Sequence, residues 1–128
     1  MKTASSTLLQ RARRALLSLL LACSTAHGDV TGPQQAEVAH LLEFVRTTTC
    51  TVDRNGSLHD GPSAHAHILK KYDYFRDRIR TTEDFIAYSA TRSTVSNQAY
   101  TVLCPGQPRM ETAEWLKREL ERYRKHQR

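Results

Sequence analysis

Val38, Leu41, Leu42 and Val45 recur at i, i+3, i+4 and i+7, one face of a helix, and predict an amphipathic helix from about Gln34 to Thr47. The β-branched run Thr47-Thr48-Thr49 ends it. Cys50 to Arg54 (CTVDR) then alternates, Asn55-Gly56 is a strong two-residue turn signal, and Ser57-Leu58-His59 follows; together they read as a short β-hairpin. Asp60-Gly61-Pro62-Ser63 is a helix start with proline near its first position. The next helix is expected to reach about Arg80, with Ala64, Ile68, Tyr72, Phe75 and Ile79 as its inward stripe.

Thr81-Thr82-Glu83-Asp84 is a second start signal, with acidic residues where the helix dipole favours them, and Phe85, Ile86 and Ala90 offer apolar contacts for a short third helix. Thr91 to Asn97 reads as a polar loop and Gln98 to Cys104 (QAYTVLC) as a further β segment, stopped by Pro105-Gly106. A last helix is expected from about Thr112 to His126, with Ala113, Leu116, Leu120 and Tyr123 on one side. Four helices, a hairpin and one more β segment make a small α+β domain over residues 37–126, preceded by a Gly/Pro-containing linker at 29–36.

The first 28 residues change both the compartment and the charge. Lys2, Arg11, Arg13 and Arg14 precede a leucine-rich run and the small residues around Ala26, the pattern of an export signal cleaved near 26–28. Only nine residues separate Arg14 from Ser24, too few to cross a bilayer, which takes about 18 or more. Leu20-Leu21-Ala22-Cys23 is an alternative: a lipobox that would lipidate Cys23 and anchor the chain. The expected location is periplasmic, with a membrane-tethered lipoprotein anchored through Cys23 as the alternative. The chain has 19 Lys and Arg against 13 Asp and Glu, but the four basic residues just named all fall in the signal, leaving 15 against 13. A mature charge of about +2 gives no support for nucleic-acid binding.

Without Cys23, the remaining cysteines are Cys50 and Cys104, and in an oxidising compartment they read as a disulfide. Closing a loop of about 55 residues contributes roughly 4 kcal/mol on the chain-entropy model. A redox pair is the alternative, without the C-x-x-C spacing that would favour it.

Histidines are the most suggestive chemistry, in HAHILKKYDYF at 65–75 with His59 upstream. Residues two apart on a helix do not share a face, so His65 and His67 are badly placed to bind one ion, and neither H-E-x-x-H nor a zinc-finger spacing occurs. No metal or cofactor is expected. His59 and His65 read as solvated, His67 as partly buried and hydrogen-bonded, and His40 and His126 as surface positions. No G-x-S-x-G, Gly-rich phosphate loop or G-x-G-x-x-G is present, and no catalytic residue is assigned. Asp73 and Asp77 interleave with Lys70, Lys71, Arg76, Arg78 and Arg80, a mixed-sign helix face rather than a nucleic-acid stripe.

The order Cys50, Arg54-Asn55-Gly56, Ala64, His67, Lys71-Tyr72, Phe85-Ile86, Ser93, Ser96, Tyr100, Cys104 and Trp115-Leu116 resembles a family of small exported proteobacterial proteins catalogued only as a domain of unknown function. The resemblance spans roughly Glu37 to Arg124. It implies a periplasmic location and a Cys50 to Cys104 pairing and brings no activity, substrate or cofactor. His67 belongs to the shared pattern whereas His59 and His65 do not, and Asn97 stands where the pattern tends to have glycine, a substitution that positive φ tolerates.

The polar members of that pattern, Arg54, Asn55, His67, Lys71, Tyr72, Ser93, Ser96 and Tyr100, form the candidate ligand or partner surface. The expected function is a non-enzymatic periplasmic binding or accessory domain for an envelope protein or small envelope ligand. A small hydrolase-like enzyme using His67 as general base with Ser93 or Tyr72 is one alternative. A stress-related, holdase-like protein with a broad exposed apolar patch is another.

Overall fold

A computed structural model describes residues 28–128; the stretch expected to be an export signal, and Cys23 with it, lies outside the described residues apart from Gly28. The chain runs α1 (Pro33–Arg46), β1 (Thr51–Arg54), β2 (Ser57–His59), α2 (Gly61–Phe75), a 3-10 turn (Arg76–Arg78), α3 (Thr82–Ser89), β3 (Thr101–Leu103), β4 (Met110–Glu111) and α4 (Thr112–His126). The domain is therefore α+β, with four helices and one antiparallel sheet of strand order β2-β1-β3-β4 among the described residues. Strand β4 has too few residues to show alternation in sequence. It forms because β3 offers a free edge, pairing Thr101 with Glu111 and Val102 with Met110.

Asn55 and Gly56 take φ of 56° and 84°, the left-handed pair that a two-residue hairpin turn requires. In the central β1/β3 pair Val52 lies opposite Val102, and both are buried. Asp53 and Thr101 point the other way, where Arg109 donates to both at 2.8 and 2.9 Å. Cys50 and Cys104 are joined in a disulfide one residue beyond the Thr51 and Leu103 pair, so the covalent link continues the ladder.

The helices cover the valine face. Gly61 opens α2 directly against the end of α1, where a Cβ would lie 2.6 Å from the Val45 carbonyl oxygen. Helix α2 ends at Phe75, short of the expected Arg80. The next helix accounts for the difference, since the Asp84 carboxylate accepts from the Arg80 and Thr81 backbone N–H groups and Thr81 caps α3 through its hydroxyl. That capping box holds 80 and 81 outside a helix. Ile79 is still fully buried, but from extended backbone. On α4 the buried side is Thr112, Trp115, Leu116, Glu119 and Leu120, with Ala113 and Tyr123 only half-buried. The face is turned from the expected one: Glu119 is buried, and its carboxylate meets His40 of α1 and Arg122.

The stretch expected as a linker, 29–36, is built into the domain. Val30 is buried, Asp29 accepts from Tyr72 Oη and Arg76 Nη1, and α1 already begins at Pro33. A second polar knot ties α1, α3 and α4. Arg124 makes a two-pronged bond to Glu37 at 2.7 and 2.9 Å and a third to Glu83, while Thr82 Oγ1 donates to Glu37. The Arg124 guanidinium chiefly, with Thr82 assisting against burial, holds the Glu37 carboxyl below its ordinary range.

Two outcomes follow from these links. Replacing both Cys50 and Cys104 with alanine is expected to lower the unfolding free energy by about 4 kcal/mol in urea titration; an unchanged midpoint would show that the bond adds nothing to the fold. A carboxyl with a depressed folded pKa stabilises above its unfolded value, here near 4.5, and loses that contribution as pH falls through the lower folded value. Arg124→Ala should therefore cost about 2 kcal/mol at pH 7, and Glu37→Gln should flatten the loss of stability below pH 4.5 relative to the parent.

Candidate functional site

Continuing the β1/β3 register one residue past its paired strands sets Arg54 opposite Tyr100, on the inner face that carries Val52 and Val102. The valines are covered by helices, whereas this last pair lies at the sheet's end. Tyr100 is buried, its backbone held by the Thr91 carbonyl on one side and the Thr112 N–H on the other. The Arg54 guanidinium carbon lies 6.0 Å from the Tyr100 ring centroid.

Helix α2 brings His67 and Lys71, one turn apart on one face, against the same ring. His67 Nε2 is 3.2 Å from the Tyr100 hydroxyl, and Lys71 Nζ is 5.2 Å from the ring centroid. Lys71 is only 8% exposed and donates to the Arg92 carbonyl at 2.5 Å. The loop 91–99 closes the third side. Ser93 Oγ accepts from the Val95 and Ser96 backbone N–H groups, Asn97 takes a φ of 59° as its identity allows, and Ser96 Oγ donates to the Asn55 side-chain oxygen at 3.0 Å. A pocket of about 310 Å³ opens beside Lys71, lined by Phe75, Tyr88, Arg92, Ser93 and Asn97.

Seven of the eight residues singled out in the sequence thus meet in one neighbourhood. Tyr72 does not join them. Its hydroxyl donates to Asp29, and its ring packs edge-on against Phe85 and under Arg76. Burial and that bond to Asp29 push its pKa up to about 12, so Tyr72 ties the N-terminal segment to α2.

The charges that act on His67, Lys71 and Tyr100 are cationic. Burial first, then Arg54, Lys71, His59 and Lys70, pushes His67 down to about 4, leaving a neutral imidazole at physiological pH. Burial and Arg54 also lower Lys71, and burial raises Tyr100. A histidine this weakly basic, bonded to a tyrosine, is poorly matched to general-base work near neutral pH. Among the described residues no hydrogen bond joins it to Ser93 or Tyr72, whose hydroxyls are engaged elsewhere.

Other histidines depart from the sequence reading. His59, expected as solvated, is half-buried beside Ser63. His40, expected at the surface, stacks on Tyr123 with centroids 4.2 Å apart and bonds Glu119 at 2.6 Å. Among the described residues no three His, Cys, Asp or Glu side chains gather in metal-binding geometry. The exposed large apolar side chains Leu58, Tyr74, Val95 and Leu103 sit on four different segments, and among the described residues no helix is long and apolar enough to cross a membrane.

Sequence reasoning missed one feature. A pocket of about 700 Å³ runs along the disulfide and is lined by Phe44, Met110, Trp115, Arg118 and Arg122. Its walls come from α1, β4 and α4, and β4 was not foreseen; Trp115, the single tryptophan, was the available signal.

No curated protein and no solved structure matches the chain. A family model does match, over residues 32–124, which takes in α1, the whole sheet, the Tyr100 neighbourhood and most of α4. The chain therefore belongs to a family described as a family of unknown function, DUF5329.

Proposed function

We propose that the chain is a non-enzymatic binding domain of the bacterial periplasm, which engages a small envelope ligand or an envelope protein through the surface around Tyr100. One observation carries the reading. Arg54, His67 and Lys71 converge on one aromatic ring, and Ser93 and Ser96 of the neighbouring loop 91–99 tie that loop together and to Asn55. A fold seldom gathers polar groups this way for stability alone, since a buried lysine with one acceptor costs more in desolvation than its bond returns. The neutral, weakly basic His67 favours binding over catalysis. For location, the export pattern in residues 1–28 and the Cys50 to Cys104 bond support an oxidising compartment.

If Lys71 serves binding, Lys71→Met should keep the unfolding free energy within about 1 kcal/mol of the parent or raise it. A loss of several kcal/mol would make the lysine a structural element instead. A photoreactive residue at Ala99, exposed beside Tyr100, should crosslink in cells, and His67→Ala with Lys71→Ala should abolish that product while the folded protein accumulates normally. Crosslinks indifferent to both substitutions would remove this surface from consideration. The intact mass of protein from its host reports the location, since cleavage near 26–28 gives a free domain and acyl chains on Cys23 give an anchored one.

A further inference from the structure

We infer that the surface around Tyr100 takes the oxyanion of its ligand, a phosphate or carboxylate group, between Arg54 and Lys71. This deepens the binding reading and rests on it. Arg46, Arg76, Arg109, Arg118, Arg122 and Arg124 each pair with a carboxylate. The other Lys and Arg side chains without such a partner among the described residues are exposed, except Arg54, which is half-buried, and Lys71, which is more than nine-tenths buried. The Lys71 ammonium has three N–H groups and gives one to the Arg92 carbonyl. Arg54 Nε is buried with no acceptor among the described residues, and His59 Nε2 nearby is buried with no hydrogen-bond partner there.

Donors without acceptors, under cations without counter-charge, describe half of an interaction. A buried cation left uncompensated is unfavourable; burial first, and then the neighbouring cations, Arg54 foremost, lower both His67 and Lys71. An oxyanion supplies what is missing. Its oxygens accept from the guanidinium edge and from the ammonium. The Tyr100 hydroxyl and the neutral His67 offer uncharged contacts beside it, while Asn55 and Ser96 are exposed at the rim. The nearby carboxylates are already committed, Asp53 to Arg109 and to the Gly56 N–H, and Asp60 to the Ser63 N–H at the start of α2.

The test is a pair of NMR titrations of the mature protein, with sodium phosphate and with sodium acetate, at constant ionic strength against sodium chloride. Saturable shifts at the His67, Ser96 and Tyr100 amides are expected with at least one anion. Saturation by phosphate alone identifies a phosphate ligand, and by acetate alone a carboxylate. Lys71→Met and Arg54→Gln should each weaken binding about tenfold, and Arg109→Gln, on the outer face, should not. Lys71→Arg keeps the charge and should retain binding, which separates lost recognition from lost folding. Linear shifts with both anions, or equal weakening by Arg109→Gln, overturn the inference. If neither anion saturates while the Ala99 crosslink still depends on His67 and Lys71, the oxyanion fails and the binding surface survives; if that crosslink is also indifferent, both fail.

Discussion

The bond between Cys50 and Cys104 is the constraint on which the rest of the molecule depends. The two cysteines flank the central strand pair, and joining them admits one alignment of β1 with β3. A slip of one residue would send Val52 and Val102 to the outer face and bring Asp53 and Thr101 against the helices. Strands of three and four residues have few ladder bonds with which to resist such a slip. The covalent link supplies the specificity that strand length does not.

That alignment reaches the far end of the sheet. With Val52 opposite Val102, Arg54 must come opposite Tyr100 on the same inward face. Helix α2 starts within contact of α1, where Gly61 leaves room for the Val45 carbonyl, and this seating sets which of its turns lies against Tyr100. His67 and Lys71 are on that turn. The inner face of the sheet thus grades from an apolar middle to a cationic end, and loop 91–99 closes the end by hydrogen bonds from Ser93, Asn97 and Lys71.

The two polar centres of the domain contrast in their chemistry. Around Glu37 each charge has its opposite. Arg124 meets two carboxylates and Thr82 completes the set, joining three helices. Around Tyr100 the cations stand together and only neutral groups intervene. The first arrangement is what a small domain with little stability in reserve needs; the second is unfavourable unless something outside the chain completes it.

Local rules acted where the interactions are local. The Asn55-Gly56 turn, the Thr81 cap and the span of α4 follow from residues within a few positions of one another, so the sequence alone determined them, and with them the α+β class. The cysteine pairing was legible because only Cys50 and Cys104 remain outside the stretch expected to be an export signal. His67 and Lys71 were visible as polar members of the pattern that the chain resembles. Tertiary structure decided the rest. Tyr72 left the candidate set because Asp29, forty-three residues away, takes its hydroxyl. Strand β4 formed on an edge that another strand provided, and His40 was stacked by a helix near the opposite end of the chain. Each of these depends on which distant group supplies a partner or excludes water, and that is set by how the elements pack, not by the pattern within any one of them.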